Sequence, residues 1–182
     1  LVDHHDGAVR KSTTELLTIA RRLGDPVAVV IGHGADKATE TLAVYGATSV
    51  VSVDAPDIDD SLILPRVEAL QAVAEQVQPS VILVTSFGAG EEVAAHLAVR
   101  LGSGLIAGAG DVQAGPDGPL TTQSVFAGSF TVQATVTRGT PIITVKPNAT
   151  TPEEAPATPT TQTVEVTYSD LARKVKVTDH AP

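Results

Sequence analysis

Two glycine-containing segments of this sequence have the residue types and spacing that could hold a phosphate. They are Gly32 to Asp36, in the order Gly-His-Gly-Ala-Asp, and Ser86 to Gly90, in the order Ser-Phe-Gly-Ala-Gly. Each follows an apolar run and precedes a helical pattern, and backbone N–H groups at a helix start attract anions. Nucleotide binding is therefore the first chemistry to weigh.

Both segments fall short of known nucleotide-binding motifs. Lys37 breaks a G-x-G-x-x-G pattern in the first, and no lysine follows the second to hold a β- or γ-phosphate. Glu91 and Glu92 also place two carboxylates at the helix start where a phosphate would arrive. We interpret both segments as tight turns between a strand and a helix, with Asp36 as a helix N-cap.

Histidine and aspartate residues do not form a recognisable metal motif. His4 and His5 adjoin Asp6, but neighbouring side chains of an extended segment point to opposite sides, so only one histidine could bind with an aspartate. The other histidines lack ligand spacing: His33, His96 and His180. An acidic loop lacks the order and the closing glutamate of an EF-hand and is interpreted as solvated: Asp54, Asp57, Asp59 and Asp60.

Nucleophilic catalysis is also disfavoured by the sequence. No G-x-S-x-G elbow is present, and Ser129 follows a glycine in a turn without a nearby base. The chain has no cysteine, which excludes disulfides, thiolate metal sites and cysteine nucleophiles. The residues therefore predict no catalytic, cofactor-binding or metal-binding side chain.

Composition narrows the class of protein. The 182 residues carry a net charge of −9, which disfavours nucleic acid and anionic membrane surfaces as partners. Aromatic residues make up only 3%, so the core must be built from aliphatic residues, as in parallel sheets covered by helices. No apolar run reaches the roughly 18–20 residues that span a bilayer, and the cytoplasm is the expected compartment. Because methionine is absent, we expect the sequence to lack its natural N-terminus.

The first half of the chain alternates between strand and helix patterns. Ser12 and Glu15 fit a capping box that opens a helix ending at Gly24. Strand and helix patterns then alternate: 27–31, 36–45, 49–53, 61–77, 81–85 and 91–101. This order predicts an α/β fold of three layers, with a mostly parallel sheet and helices on both faces. Residues 1–3 are expected to be the end of a further strand.

The pattern changes after Leu101. Glycines interrupt the sequence around Leu105 and Ile106, which predicts a loose connection there. Later β-rich runs predict a hairpin followed by one more strand: 120–127, 130–137 and 141–145. The sheet is therefore expected to carry antiparallel additions at one side.

Three segments are expected along the chain. Residues 1–147 form the α/β domain, residues 148–162 form a Thr/Pro-rich linker, and residues 163–182 form an extended tail. The alternating run 163–168 in the tail is predicted to be a strand that joins the edge of the domain or docks on another chain.

Several segments share their order and spacing with a known family. Residues 1–7 combine a strand end with an acidic turn, and Gly46 to Thr48 end a helix before a strand. Residues 86–106 combine a serine–glycine turn with an alanine-rich helix that ends in Arg-Leu-Gly. Three shorter segments complete the pattern: Phe126 to Ser129, Thr137 to Pro141 and Thr144 to Pro147. Together they resemble the N-terminal domain of the α subunit of an electron transfer flavoprotein.

The sequence departs from this family at three positions. His96, Gly108 and Ser129 stand where arginine, aspartate and asparagine are frequent in the family. The loop after Ile106 is accordingly expected to be looser than in relatives.

The resemblance implies a heterodimer with a β subunit that carries electrons from flavin dehydrogenases, such as those for acyl-CoA, to a membrane quinone reductase or a similar acceptor. In this family a C-terminal domain of the α subunit makes most of the FAD contacts, and the β subunit holds a structural AMP. The resemblance therefore implies that this chain is a non-enzymatic scaffold for the β subunit, without a cofactor of its own. A flavin domain is expected beyond residue 182, and no FAD-binding residue is assigned.

Two other functions stay open at this point. The glycine segments are also compatible with a nucleotide-binding module of the universal-stress or adenine-nucleotide-hydrolase type. Alternatively, the chain is an interaction domain whose tail, Thr163 to Val177, adds a strand to a partner.

Overall fold

The computed structural model describes residues 1–55, 58 and 60–178. Within these residues, four helices cover a sheet of parallel strands: α1 (Lys11–Leu23), α2 (Ala35–Val44), α3 (Leu64–Val77) and α4 (Gly90–Leu101). The strands are β1 (His4–His5), β2 (Ala8–Val9), β3 (Val27–Ile31), β4 (Ser49–Val53), β5 (Ile82–Thr85), β6 (Leu105–Ala109), β7 (Asp111–Gly115), β8 (Gly118–Val125), β9 (Phe130–Ala134), β10 (Ile142–Val145) and β11 (Thr160–Val164).

Residues 1 and 2 join two groups of parallel strands into one sheet. One group has the order β11-β4-β3 and the other has the order β5-β10-β6. The amide of Val2 donates to the carbonyl of Val29 at 2.9 Å, and the amino group of Leu1 donates to the carbonyl of Leu83 at 2.8 Å. Residues 1–3 were predicted to be a strand end; they are not assigned to a strand, but the backbone hydrogen bonds of Leu1 and Val2 place these two residues between β3 and β5.

The three-layer α/β architecture predicted from the sequence is confirmed. Side chains of the central strands alternate between two apolar clusters, because successive residues of a strand face opposite sides of the sheet. Val29 and Val51 pack in the cluster that includes residues of α3 and α4, whereas Ala28 and Val50 pack with residues of α1 and α2. The strands are buried on both faces, which explains their nearly continuous aliphatic sequences.

Two predictions about the sheet need correction. The connection through Leu105 and Ile106 is the strand β6, and Gly108 in its left-handed conformation (φ +70°) accommodates a register shift against β10. The strand β10 is not an addition at one side, because it lies between β5 and β6 and runs parallel to both. The antiparallel strands β7, β8 and β9 form a separate sheet, and its β8–β9 hairpin is the predicted one.

Both predicted helix caps are wrong, because each helix begins one residue before the predicted capping residue. Helix α1 begins at Lys11, and none of the described side chains caps it. Ser12 instead donates to the Asp3 carboxylate at 3.2 Å. Gly34, not Asp36, precedes α2, and its left-handed conformation (φ +88°) is one that a capping aspartate adopts at a cost. Helix α3 begins at Leu64, later than predicted.

The Thr/Pro-rich segment lies along the surface of α1 and α2. The backbone of Glu153 contacts α1, and the amides of Ala155 and Ala157 donate to the carbonyls of Val44 and Ala43, each at 2.9 Å. The chain then enters the sheet as β11, parallel to β4. The tail strand thus begins before the predicted run at 163 and joins the edge of its own domain, which was one of the two predicted alternatives.

Candidate functional site

A crevice of about 340 Å³ lies at the carboxyl ends of the central strands. From residues 1–3 the chain continues to β3 and β4, which lie on one side of these residues in the sheet. It then crosses to β5, which lies on their other side. This reversal of strand order is where open α/β sheets bind their ligands. The two glycine segments identified in the sequence lie here, since Gly32 and Gly90 both line the crevice.

The first glycine segment is covered by other parts of this chain. A Cβ atom on Gly34 would lie 2.4 Å from the backbone nitrogen of Gly7, in the turn between β1 and β2. A Cβ atom on Gly32 would lie 2.8 Å from Cγ2 of Ile58. The glycines therefore admit the protein's own hairpin and an isoleucine, and this agrees with the interpretation as a structural turn.

His4 holds the same hairpin in place. Its Nε2 lies 3.1 Å from the carbonyl oxygen of Ile31, and its Nδ1 accepts the amide of Gly7 at 3.3 Å. Because a carbonyl can only accept, Nε2 carries the proton and Nδ1 is the acceptor. His5 points away and lies 3.8 Å from Asp6 at the surface. The two histidine side chains thus contact different parts of the protein, as expected for adjacent residues of an extended segment.

The second glycine segment is tight and acidic. A Cβ atom on Gly90 would lie 1.9 Å from the carbonyl oxygen of Thr85, so only glycine fits this position. Glu91 and Glu92 occupy the first turn of α4 and are exposed. Their carboxylates interact favourably with the positive end of the helix and oppose the approach of an anion.

Two polar side chains near the crevice, Asp3 and Thr85, differ in whether they have a hydrogen-bond partner. Asp3 accepts from Ser12 and lies 3.4 Å from the Arg10 guanidinium. The hydroxyl of Thr85 is buried and finds no hydrogen-bond partner within the described part of the chain. A buried hydroxyl without a partner is unusual, and it favours an additional ligand at this crevice.

The other candidate residues are scattered. The described residues contain no group of three or more histidine, aspartate or glutamate side chains placed to hold a metal ion. Asp54 and Asp60 are exposed, whereas Asp57, Asp59 and His180 lie outside the described residues. His33 is exposed in the turn between β3 and α2, and His96 is exposed on α4. Ser129 closes the β8–β9 turn, where its amide donates to the carbonyl of Phe126 at 3.1 Å.

The β8–β9 hairpin carries an exposed apolar surface. Phe126 and Phe130 are 78% and 62% exposed, and their rings meet edge to face with centroids 5.9 Å apart. Val132 on β9 is also exposed. Strand β9 pairs only with β8 among the described strands, so its outer edge offers free backbone groups. We call Phe126, Phe130 and Val132 with this edge the hairpin surface.

The sequence carries one signal for this surface. The chain has three phenylalanines, and Phe126 and Phe130 flank a single turn. Both belong to a residue type that is usually buried, and an exposed cluster of this type marks an interaction site.

Among the described residues, three ionisable groups have shifted pKa values, and none of them belongs to the hairpin surface. Burial lowers the pKa of the Leu1 amino group from 8.0 to about 5. Burial alone would raise the pKa of Glu68, but hydrogen bonds from Ser169 and the contact with Arg100 outweigh it and lower that pKa. Burial, followed by the charges of Glu68 and Asp54, raises the pKa of Tyr168.

No helix in the described residues is both long and apolar enough to cross a bilayer. The fold and the crevice define a class of protein: a doubly wound α/β domain whose first glycine turn is covered by its own β1–β2 hairpin. A family model described as "Electron transfer flavoprotein domain" matches residues 1–172. The chain belongs to the electron transfer flavoprotein family, as its sequence segments predicted.

Proteins named electron transfer flavoprotein subunit alpha resemble this chain over much of its length. The one from Mycobacterium tuberculosis (strain H37Rv) is 38% identical over 168 residues, covering 91% of this chain and 52% of that protein. The one from Mycobacterium leprae is 36% identical over 184 residues, covering 100% and 57%. The one from Syntrophomonas wolfei is 30% identical over 148 residues, covering 80% and 46%. The chain spans about half the length of the curated relatives it matches.

Proposed function

We propose that this chain is the N-terminal scaffold domain of an electron transfer flavoprotein α subunit and that it docks the β subunit through the hairpin surface. The family match supports the first part, and the relatives' name, "subunit alpha", supports a partner subunit. Docking through the hairpin surface is supported by the exposed Phe126 and Phe130, which lie beside an unpaired strand edge.

The hairpin surface has the two properties that strand-edge docking requires. The free edge of β9 supplies backbone hydrogen bonds to an added strand, and the phenylalanines supply apolar contact. Fully burying one large apolar side chain contributes about 1.5–3 kcal/mol. Two buried phenylalanines would therefore account for a large part of the affinity of a stable heterodimer.

In this proposal the redox chemistry takes place outside the chain. We assign no FAD contact to the crevice at the central strands: Asp3 lines it together with Arg10 and Arg66, and Glu91 and Glu92 in the first turn of α4 disfavour a phosphate at that helix start. FAD would be held in the complete heterodimer and AMP in the β subunit. The heterodimer would carry electrons in the bacterial cytoplasm from flavin dehydrogenases to a quinone reductase or a similar acceptor, without an enzymatic site on this chain.

The docking proposal is tested by mixing the chain with the electron transfer flavoprotein β subunit of its own organism. Light scattering should give the mass of a 1:1 complex. The Phe130→Ser variant should weaken the complex at least tenfold, since a lost phenylalanine contact is worth more than about 1.4 kcal/mol. The matched control is Val99→Ser on α4, where a still more exposed apolar side chain (84%, against 62% for Phe130) is removed away from the hairpin. A monomeric mixture, or equal weakening by both variants, would count against the proposal.

A nucleotide-binding module is the second candidate. The position of the crevice and the unpartnered hydroxyl of Thr85 favour it, whereas Glu91 and Glu92 oppose it. Calorimetric titration with AMP and with ATP separates the two candidates. Heat of binding that disappears in Thr85→Val would support the nucleotide module, and no heat at millimolar nucleotide would remove it.

A further inference from the structure

After β10 the chain turns back onto α1 through a tight turn at residues 146–149. The amide of Ala149 donates to the carbonyl of Lys146 at 3.2 Å, and Asn148 between them is in the left-handed conformation (φ +64°). This conformation costs free energy in any residue with a side chain, although asparagine adopts it more readily than most. An extended backbone at Asn148 would therefore remove a strain that the turn imposes.

Polar side chains of α1 hold this turn closed. Lys11 donates to the side-chain oxygen of Asn148 at 2.7 Å, and the buried carboxylate of Glu15 accepts the Asn148 amide at 2.8 Å. Three further side chains of α1 form hydrogen bonds with residues 150–153: Thr18, Arg21 and Arg22. Each hydrogen bond of this kind contributes only modest net free energy, so the segment after the turn is held by contacts that can open and re-form.

The segment beyond these contacts covers one edge of the parallel sheet. Strand β11 pairs with β4, and Val164 of β11 packs in the same apolar cluster as Val51 and Val53 of β4, which are fully buried. Tyr168, farther along, packs against this cluster as well. A chain that releases this segment would expose the edge of an aliphatic strand, and such an edge pairs readily with a strand of another molecule. The strand that matches it in register and in side chains is β11 of a second copy.

We propose that two copies of this chain exchange residues 149–177, which we call the exchange segment, so that β11 of each copy pairs with β4 of the other. The segment keeps all its contacts in such a dimer, now between chains, while the turn at Asn148 becomes extended and loses its strain. Three prolines favour an extended chain of about 3.1 Å per residue between the turn and β11, which gives the reach to a second copy: Pro152, Pro156 and Pro159. The proposal is independent of the hairpin surface and of the β subunit.

Single-cysteine variants can report the exchange, because the chain has no cysteine of its own. The hydroxyl oxygens of Ser52 on β4 and Thr163 on β11 lie 3.0 Å apart. A Ser52→Cys chain and a Thr163→Cys chain are mixed at high concentration and oxidised with glutathione disulfide. Exchange should join the two chains by a disulfide that neither variant forms alone. Ser52→Cys mixed with Val99→Cys, an exposed position on α4, is the control for random collisions and should give roughly tenfold less cross-linked product.

Light scattering of the cysteine-free chain at the same concentration should show a dimer whose fraction depends on the turn. Asn148→Gly removes the cost of the left-handed conformation and should lower the dimer association constant roughly fivefold or more. Thr151→Gly is the matched control, because it adds a glycine to the exposed chain nearby without relieving the strain.

Three results would each overturn the proposal. They are a monomer at every concentration, a dimer without the specific disulfide, and a dimer fraction that Asn148→Gly leaves unchanged. The experiment contains no β subunit, so its outcome is separate from that of the docking test.

Discussion

Gly34 and Gly7 lie so close together that a side chain on either one would enter the backbone of the other. A Cβ on Gly34 would lie 2.4 Å from the Gly7 nitrogen, and a Cβ on Gly7 would lie 2.3 Å from the Gly34 oxygen. This contact seats the β1–β2 hairpin over the turn that follows β3. It explains why a segment that resembles a phosphate loop is occupied by protein.

Replacing Gly34 should destabilise the domain by two effects. Gly34→Ala combines a left-handed backbone with a backbone clash, so we expect the free energy of unfolding to fall by about 2–4 kcal/mol. The control is Gly102→Ala, which has a similar left-handed backbone (φ +60°) but open space around it and should cost about 1 kcal/mol. Urea unfolding measures both, and equal losses would show that the contact with Gly7 contributes nothing.

The Thr/Pro-rich segment should loosen when its contact with α1 is removed. The amide of Glu153 donates to the buried hydroxyl of Thr18 at 3.0 Å, so Thr18→Val leaves this amide without an acceptor. Loss of the bond should cost about 1–3 kcal/mol and speed protease cleavage within residues 150–157 several-fold. Thr39→Val is the control, because that hydroxyl bonds within its own helix, to Ala35. Unchanged cleavage in Thr18→Val would show that the segment is held by other contacts.

Attachment of the tail to α3 should weaken in acid. Glu68 accepts both the amide and the hydroxyl of Ser169, at 2.9 Å and 2.6 Å, and these bonds help to lower its pKa. A lowered carboxyl pKa stabilises the folded state fully above its unfolded value of 4.5, and the effect is lost as the pH falls through the folded value. The amide resonance of Ser169 should therefore titrate with a midpoint below 4.5.

Glu68→Gln separates this titration from general acid effects. The variant should abolish the Ser169 titration, whereas Glu75→Gln, which alters an exposed carboxylate of the same helix bonded to Gln71, should preserve it. A Ser169 resonance that titrates identically in both variants would assign the pH effect to another group.

A polypeptide that begins at Leu1 should become more stable as the pH rises from 5 to 8. Its amino group has a pKa of about 5 in the folded state and about 8 when unfolded, so the unfolded chain binds an extra proton in between. Stability should therefore increase by up to about 4 kcal/mol across this range and level off above it. An acetylated polypeptide keeps the N–H but has no charge to bury, and it should lack this increment in urea unfolding. Parallel pH profiles would contradict the assignment.

The local patterns of the sequence predicted the elements that are buried on both faces. The aliphatic run of β3 has the length of a buried strand and forms one, and the stripe of α4 that includes Val93 and Leu97 packs as its spacing indicates. These elements are specified by side chains near in sequence, which is why periodicity alone predicts them.

Non-local pairing could not be predicted in the same way. The strand β10 takes its place from its parallel pairing with both β5 and β6, and no local pattern encodes this order. The capping box failed because Glu15 is buried and accepts the amide of Asn148 at 2.8 Å, a contact across 133 residues. The sequence predicted the hairpin that carries the hairpin surface. The exposure of Phe126 and Phe130 was not predicted, because it depends on how β7 to β9 pack beside the domain.

The position of β10 also constrains the order in which the domain assembles. Strands β5 and β6 are joined by a single helix, yet they cannot pair with each other, because the strand between them is contributed by residues 142–145. During synthesis β5 and β6 therefore stay unpaired until the antiparallel strands β7 to β9 and then β10 have been made. A nascent chain stalled before residue 142 would expose two aliphatic strand edges, which makes that stage of synthesis the most prone to aggregation.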